Sequence, residues 1–116
     1  MVSSRNQFVD FVLETMLHWA SVNSRKMFGG YGLYRDELMF ALITDDTLYF
    51  KTDEYNVAQF KQAGSLPFVC HSKTRVVQMS YWSAPAECLE SPDEMRDWCN
   101  LAYATALRSG KSTNKR

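Results

Sequence analysis

The sequence has no excess charge of either sign, because 13 lysine and arginine residues balance 13 aspartate and glutamate residues. A neutral chain has no overall positive field that would draw it to nucleic acid or to an anionic membrane. It also lacks any apolar run near the roughly 20 residues of a membrane-spanning helix, and its first residues lack the apolar core of a secretory signal. We therefore expect a cytoplasmic protein whose contacts with nucleic acid are local.

Cysteine and histidine are scarce, with three and two residues in the chain. Cys70, Cys88 and Cys99 are widely spaced and form no C-x-x-C pair, which predicts reduced, buried thiols. No two potential ligands have the close spacing of a structural zinc site. Cys70 and His71 are adjacent, but neighbouring side chains of a strand point to opposite faces and cannot share a proton. We expect no metal and no cofactor.

The acidic residues occur in pairs, which invites a search for general acid and base chemistry. Each pair falls at a predicted turn or helix start, where acids are common for structural reasons. The glycine-rich segment 29–32 precedes a strand instead of a helix, which is the wrong context for a phosphate-binding loop. We expect no catalytic residue and a protein that is not an enzyme. The acidic pairs are Asp36-Glu37, Asp45-Asp46, Asp53-Glu54 and Asp93-Glu94.

What the sequence does contain fits one globular domain, with 116 residues of which 46% are hydrophobic and 14% aromatic. Strands follow strands without crossover helices, which disfavours a parallel sheet. The element order α-β-β-β-α-β-β-α indicates an α+β fold with one mainly antiparallel five-stranded sheet and flanking helices. The predicted helices cover residues 5–20, 54–63 and 91–108, with a helical turn or short helix at 84–89. The predicted strands cover residues 27–34, 38–43, 47–51, 68–71 and 76–82.

Local signals mark where several of these elements begin and end. Ser4 and Gln7 form a capping box for the first helix, and Ser91 begins the last one ahead of a proline and two acids. Gly64 is placed to end the helix at 54–63, and Gly110 to stop the last helix. Paired glycines inside a strand weaken it, so we interpret Gly29-Gly30 as a bulge.

Aromatic residues concentrate on the predicted strands, and core packing is their expected role because few basic residues accompany them. The alternative is a weak nucleic-acid-binding module, in which sheet aromatics stack bases and basic residues contact phosphates. The domain is expected over residues 1–110, and the basic segment 111–116 is expected to be a tail or the start of a linker. Candidate contacts with a partner or with nucleic acid are Lys73, Arg75, Trp82, Lys111, Lys115 and Arg116.

Several segments together resemble the N-terminal domain of the TfoX/Sxy family, over about residues 8–107. The most specific part is the strand Met-Phe-Gly-Gly-x-Gly-Leu-Tyr, joined to a later Met-x-Tyr-Trp. The segments are residues 25–34, Phe40-Ala41-Leu42-Ile43, Asp45, Leu48-Tyr49-Phe50-Lys51, Phe60, Gly64, Pro67-Phe68 and Met79-Ser80-Tyr81-Trp82.

The resemblance implies an α+β domain similar to secretion-chaperone-like folds. It also implies a bacterial transcriptional co-regulator of natural competence and DNA transformation, since the best-known members act with the cyclic-AMP receptor protein. Longer members carry a second, helical domain after a basic linker. The family has no catalytic motif to transfer, so the resemblance favours action through protein contacts. The expected partner is an activator of the cyclic-AMP receptor protein type or a second copy of this chain.

Overall fold

The computed structural model describes residues 6–27, 29–71 and 76–114. In this part of the chain it has six strands, three α-helices and one short 3-10 helix. The helices are α1 (Gln7–Met16), α2 (Val57–Gln62), the 3-10 helix Ala86–Leu89 and α3 (Pro92–Asn114), and the strands are β1 (Asn23–Met27), β2 (Gly30–Arg35), β3 (Leu38–Thr44), β4 (Thr47–Lys51), β5 (Pro67–His71) and β6 (Val76–Ser83).

The six strands form one antiparallel sheet in the order β1-β2-β3-β4-β6-β5. The predicted α+β class and antiparallel sheet are confirmed, but the count of five strands is wrong. The predicted first strand is two strands, because Met27 pairs with Gly30 and the chain reverses between them. Gly29 has φ +79°, a conformation that a glycine adopts without steric cost. Gly29 thus belongs to a hairpin turn and Gly30 begins β2, so the predicted bulge is wrong.

A bulge does exist, one hairpin further along the chain. Leu33 pairs with Ala41 and Tyr34 with Met39, which leaves Phe40 as an extra residue on β3. The two turns of this meander match the prediction. Their central residues all have positive φ, which identifies two-residue hairpin turns of the type that asparagine, aspartate and glycine favour. These residues are Asp36, Glu37, Asp45 and Asp46.

The helix ends differ from the predicted ones. Asn6, not Ser4, caps α1 by accepting a hydrogen bond from the Val9 backbone N–H at 2.9 Å, and Ser4 lies outside the described residues. The predicted cap at Ser91 is confirmed by its bond from the Glu94 N–H. The predicted stop at Gly110 is wrong, because α3 continues to Asn114. A Cβ at Gly110 would lie 3.1 Å from Leu38 Cδ2, so the glycine lets the helix lie close to β3.

The hydrophobic core lies between one face of the sheet and the helices. Val9, Phe60 and Met95 come from α1, α2 and α3, and each is fully buried. The sheet contributes Leu33, Phe40, Ala41, Ile43, Leu48 and Phe50 to the same cluster. All three helices therefore cover the same face of the sheet, which we call the covered face.

Candidate functional site

The opposite face of the sheet, which we call the open face, has no helix over it in the described part of the chain. Its side chains are nevertheless largely apolar. Leu42 and Tyr81 are buried there with 8% and 7% exposure, and their neighbours are half-buried or exposed. Residues that alternate with the core positions form this face: Met27, Tyr34, Met39, Leu42, Tyr49, Phe68, Met79 and Tyr81.

Leu42 lines a recess in the open face. This small recess of about 180 Å³ is also lined by Met27 and Gly30 from β1 and β2, and by Phe68 and Met79 from the other end of the sheet. Across the same face, burial raises the pKa of Tyr81 to about 12, and Tyr34 adds to the shift although two strands separate them. The open face is a shallow apolar trough.

A second concave site, which we call the cleft, lies where β4 ends. It has a volume of about 550 Å³, within the usual range for ligand sites. Its walls come from the end of β4, from α2, from β6 and from α3, represented by Lys51, Lys61, Trp82 and Thr105. Met79 lines both the cleft and the recess, so the two sites are neighbours.

The buried amide of Asn56 fixes the chain where it leaves β4. Its Oδ1 accepts the Asp53 backbone N–H at 2.9 Å, and its Nδ2 donates to Thr105 Oγ1 at 3.0 Å and to the carbonyls of Lys51 and Leu101. The side chain is 2% exposed, so these bonds replace the water it has lost. This turn occupies residues that were predicted to be helical, and α2 begins only at Val57.

Asp53 and Arg108 neutralise each other beside the cleft. Arg108 Nε donates to Asp53 Oδ2 at 2.7 Å and Arg108 Nη2 donates to Oδ1 at 2.9 Å. Burial opposes ionisation of Asp53, but the hydrogen bonds from Arg108 and from the Tyr55 backbone N–H outweigh it and hold the pKa of the carboxyl below its usual value. Asp53 is therefore ionised at neutral pH and its charge is already matched.

Two lysines face the cleft without an acidic partner. In the part of the chain that the structure describes, neither Lys51 nor Lys61 has a carboxylate within 4 Å. Each ammonium instead lies near an aromatic ring, Lys51 at 5.3 Å from the Tyr81 centroid and Lys61 at 5.8 Å from that of Trp82. Burial lowers the pKa of Lys51, and Asp53 partly offsets the effect. The cleft therefore presents two ammonium groups that form no ion pair within the described residues, with Glu54 as the other charged group of its lining besides Asp53.

Of the predicted contact residues, the structure describes the side chain of Trp82 alone. Trp82 is half-buried, packs against the core and lines the cleft. Lys73, Arg75, Lys115 and Arg116 lie outside the described residues, and so does the side chain of Lys111, whose backbone belongs to α3. The prediction missed Lys51 and Lys61 as a pair, because one is on a strand and the other on a helix. Only the fold brings them to one cleft.

The predicted role of the strand aromatics as core residues is correct only in part. Tyr31 and Trp82 pack against the core, and Tyr81 is buried, but on the open face. Tyr34 and Tyr49 are half-buried on that same face. Aromatic residues therefore stand on both sides of the sheet.

The two cysteines whose side chains the structure describes match the prediction of buried thiols. Cys88 and Cys99 are free and have no exposed surface. Burial raises the pKa of the Cys88 thiol to about 12 and also raises that of Cys99, so both are poor nucleophiles. Within the described residues, no three potential metal ligands come together, and none of the helices has the length and apolar character needed to span a membrane.

Comparison with known proteins places the chain in a family. A curated relative, the DNA transformation protein TfoX1 of Aliivibrio fischeri (strain ATCC 700601 / ES114), is 37% identical over 60 residues. The alignment covers 52% of this chain and 29% of the relative, so the match spans less than a third of that protein. The family profile of the TfoX N-terminal domain matches residues 14–106 and thus includes the whole sheet, α2 and most of α3. The chain therefore belongs to the TfoX N-terminal domain family.

Proposed function

We propose that this chain is a non-enzymatic, cytoplasmic co-regulator in DNA transformation, and that it acts by contacting another protein through the open face. The proposed partner is a DNA-bound activator of the cyclic-AMP receptor protein type. The name of the relative, a DNA transformation protein, supports the process. The observation that carries the mode of action is the open face itself, whose apolar side chains no described helix covers.

The composition of the open face suits a protein contact. Tyrosine, phenylalanine and methionine are the residues enriched at the centres of protein interfaces, while lysine and glutamate are depleted there. Thioether side chains such as those of Met27 and Met39 adapt to irregular partners. A contiguous apolar surface of this kind costs solubility when it is exposed, and such surfaces mark interaction sites in soluble domains.

The experiment is fluorescence anisotropy of labelled promoter DNA at two salt concentrations, with and without the cyclic-AMP receptor protein. We expect this chain to raise the anisotropy only when the activator is present. Replacing Met39 and Tyr49 together by serine should abolish that rise. Leu17→Ser is the matched control, because Leu17 is 64% exposed but lies beyond α1 and away from the sheet. No rise with the activator at either salt concentration would refute the proposed partner.

The second candidate function is weak nucleic-acid binding, favoured by the two lysines of the cleft, each of which lies near an aromatic ring. In that case the chain alone would bind the DNA, and the affinity would fall steeply with salt because phosphate contacts release counterions. Removal of residues 111–116 should then weaken binding. A second copy of this chain as the partner would instead give a dimer in sedimentation, and M39S/Y49S should dissociate it.

A further inference from the structure

The edge of β6 beside the cleft is unpaired over half of the strand. β4 pairs with Tyr81, Trp82 and Ser83, and the Thr52 backbone N–H donates to the Ser80 carbonyl at 2.8 Å. After Thr52 the chain turns away toward α2. From Ser80 back to Val76, β5 is the one strand beside β6 among the described residues.

The backbone geometry identifies which groups the free edge offers. Alternate residues of a strand direct their N–H and C=O groups to opposite edges. Ser80 bonds toward β4, as does Ala84, whose N–H donates to the Leu48 carbonyl at 2.8 Å. β6 pairs irregularly with β5 here, since Trp82 opposes Pro67 and Gln78 opposes Val69, a shift of two residues that keeps the even-numbered residues in step. The next backbone groups on this edge therefore belong to Gln78 and Val76. Met79 and Ser80 are exposed, which agrees with an uncovered edge.

Apart from the Asp53–Arg108 ion pair, the charged side chains that line the cleft are two lysines and one glutamate. Lys51 ends β4 on the open face, and Lys61 lies on α2 near Trp82, which is on the covered face. A strand placed along the edge would therefore have a lysine on each of its two sides. The Asp53 carboxylate forms an ion pair with Arg108. The other acid that lines the cleft, Glu54, is exposed to water.

We infer that the cleft binds an extended acidic segment of a partner protein, which adds to the sheet as a strand along the free edge of β6 between Lys51 and Lys61. Main-chain hydrogen bonds to β6 give such additions their affinity, and side-chain pockets give their specificity. The edge from Val76 to Ser80 accommodates about five residues of an extended chain. This inference rests on the proposed function, because it supplies the chemistry of a partner contact next to the open face.

The test uses a fluorescein-labelled peptide of sequence Thr-Glu-Val-Glu-Glu-Val-Glu-Thr with blocked ends, titrated with this chain and followed by anisotropy. We expect binding that weakens at least about fivefold when every Glu is replaced by Gln, because two charge pairs are lost. A peptide with an N-methyl group on every residue keeps the charges but has no backbone N–H with which to pair along either of its edges, and we expect it not to bind.

Variants of the protein locate the site. K51Q/K61Q should weaken binding of the acidic peptide at least about fivefold, and Lys26→Gln is the control, an exposed lysine on β1. Unchanged binding by the double variant, equal binding of the Gln peptide, or equal binding of the N-methylated peptide would each overturn the inference. A single-stranded oligonucleotide that competes for the same lysines more tightly than the peptide would also overturn it in favour of nucleic acid.

The outcome is distinguishable from failure of the proposed function. If the acidic peptide fails to bind while the activator complex still depends on Met39 and Tyr49, the inference is wrong and the proposed function stands. If the peptide binds through Lys51 and Lys61 but no activator complex forms, the strand-addition site is correct and the proposed partner is wrong.

Discussion

The two faces of this sheet are built from similar residues but have different surroundings. On the covered face, Leu33, Phe40 and Phe50 have no exposed surface. On the open face, Tyr34, Met39 and Tyr49 occupy alternating positions on the same strands and remain half-exposed. Burial is therefore decided by which side the helices take and not by the apolar character of a residue. The covered face supplies stability, while the open face leaves apolar area for a partner.

The largest difference in the free energy of unfolding should be between variants at Phe50 and Tyr49, adjacent residues of β4 whose side chains point to opposite faces. Phe50→Ala removes a ring that packs on Phe60 and should lower the free energy of unfolding by about 3–5 kcal/mol. Tyr49→Ala removes a ring that meets only Phe68 among the described aromatics and should cost about 1–2 kcal/mol. Urea denaturation of both variants measures the difference. Equal losses would mean that the open face is as well packed as the core.

The second comparison is between two glycines of β2. A Cβ at Gly30 would lie 2.2 Å from the Ile43 backbone oxygen, whereas one at Gly32 would meet the sulfur atoms of Met27 and Met39 at 2.9 and 3.2 Å. Backbone cannot move aside as methionine can, so Gly30→Val should cost about 3 kcal/mol and Gly32→Val about 1 kcal/mol. Thermal melting tests the order, and a larger loss at Gly32 would contradict it.

The pKa of Tyr81 measures how well water is excluded from the buried part of the open face. Its pKa rises from 10.0 to about 12 in the folded protein because of burial. Folding therefore favours the protonated phenol. The resulting contribution to the free energy of unfolding is fully present below pH 10 and is lost as the pH rises through about 12. The loss should be about 2 kcal/mol in urea titrations. The variant Tyr81→Phe should lack this part of the alkaline destabilisation. If its stability falls with pH as steeply as that of the unmodified protein, Tyr81 is accessible to water.

The smallest effect should come from the ion pair beside the cleft. Asp53→Asn breaks the paired bonds to Arg108, and we expect a loss of about 1 kcal/mol at pH 7, because the partly exposed arginine is screened by solvent. The pKa of Asp53 is lowered in the folded state, so its contribution is present at neutral pH and disappears as the pH falls through that lowered value. Stability curves of the two proteins should therefore converge in acid. Curves that stay parallel would contradict the assignment.

Sequence reasoning predicted the elements with strong local signals. The hairpin turns at Asp36-Glu37 and Asp45-Asp46 and the cap at Ser91 depend on neighbours in sequence, and they are confirmed. The predictions for Gly29 and Gly110 are wrong because the roles of these glycines depend on the three-dimensional structure and not on their neighbours in sequence. A positive φ at Gly29 makes a turn where a bulge was expected, and the close approach of Leu38 explains a glycine inside α3. Neither consequence is visible without the three-dimensional partner.

The candidate site was less predictable than the fold. Trp82 was named from its place on a strand, and it does line the cleft. Lys51, Lys61 and the buried Asn56 were not singled out, because their roles depend on where β4 stops and on how α3 crosses it. Asn56 bonds to Thr105, which is 49 positions away. No local pattern contains that information.

The extra residue on β3 has a consequence for how this chain tolerates changes in length. Leu38 and Phe40, at even positions, lie against the helices, and beyond the bulge the odd positions Ala41 and Ile43 do so. Phe40 thus changes which residues of β3 face the helices, from even-numbered positions before it to odd-numbered positions after it. Deleting Phe40 would restore regular alternation with Leu38, Ala41 and Ile43 still on the covered face, so the loss would be that of one buried ring. A deletion elsewhere in β3 has no extra residue to remove, and it would turn part of the strand to the opposite face.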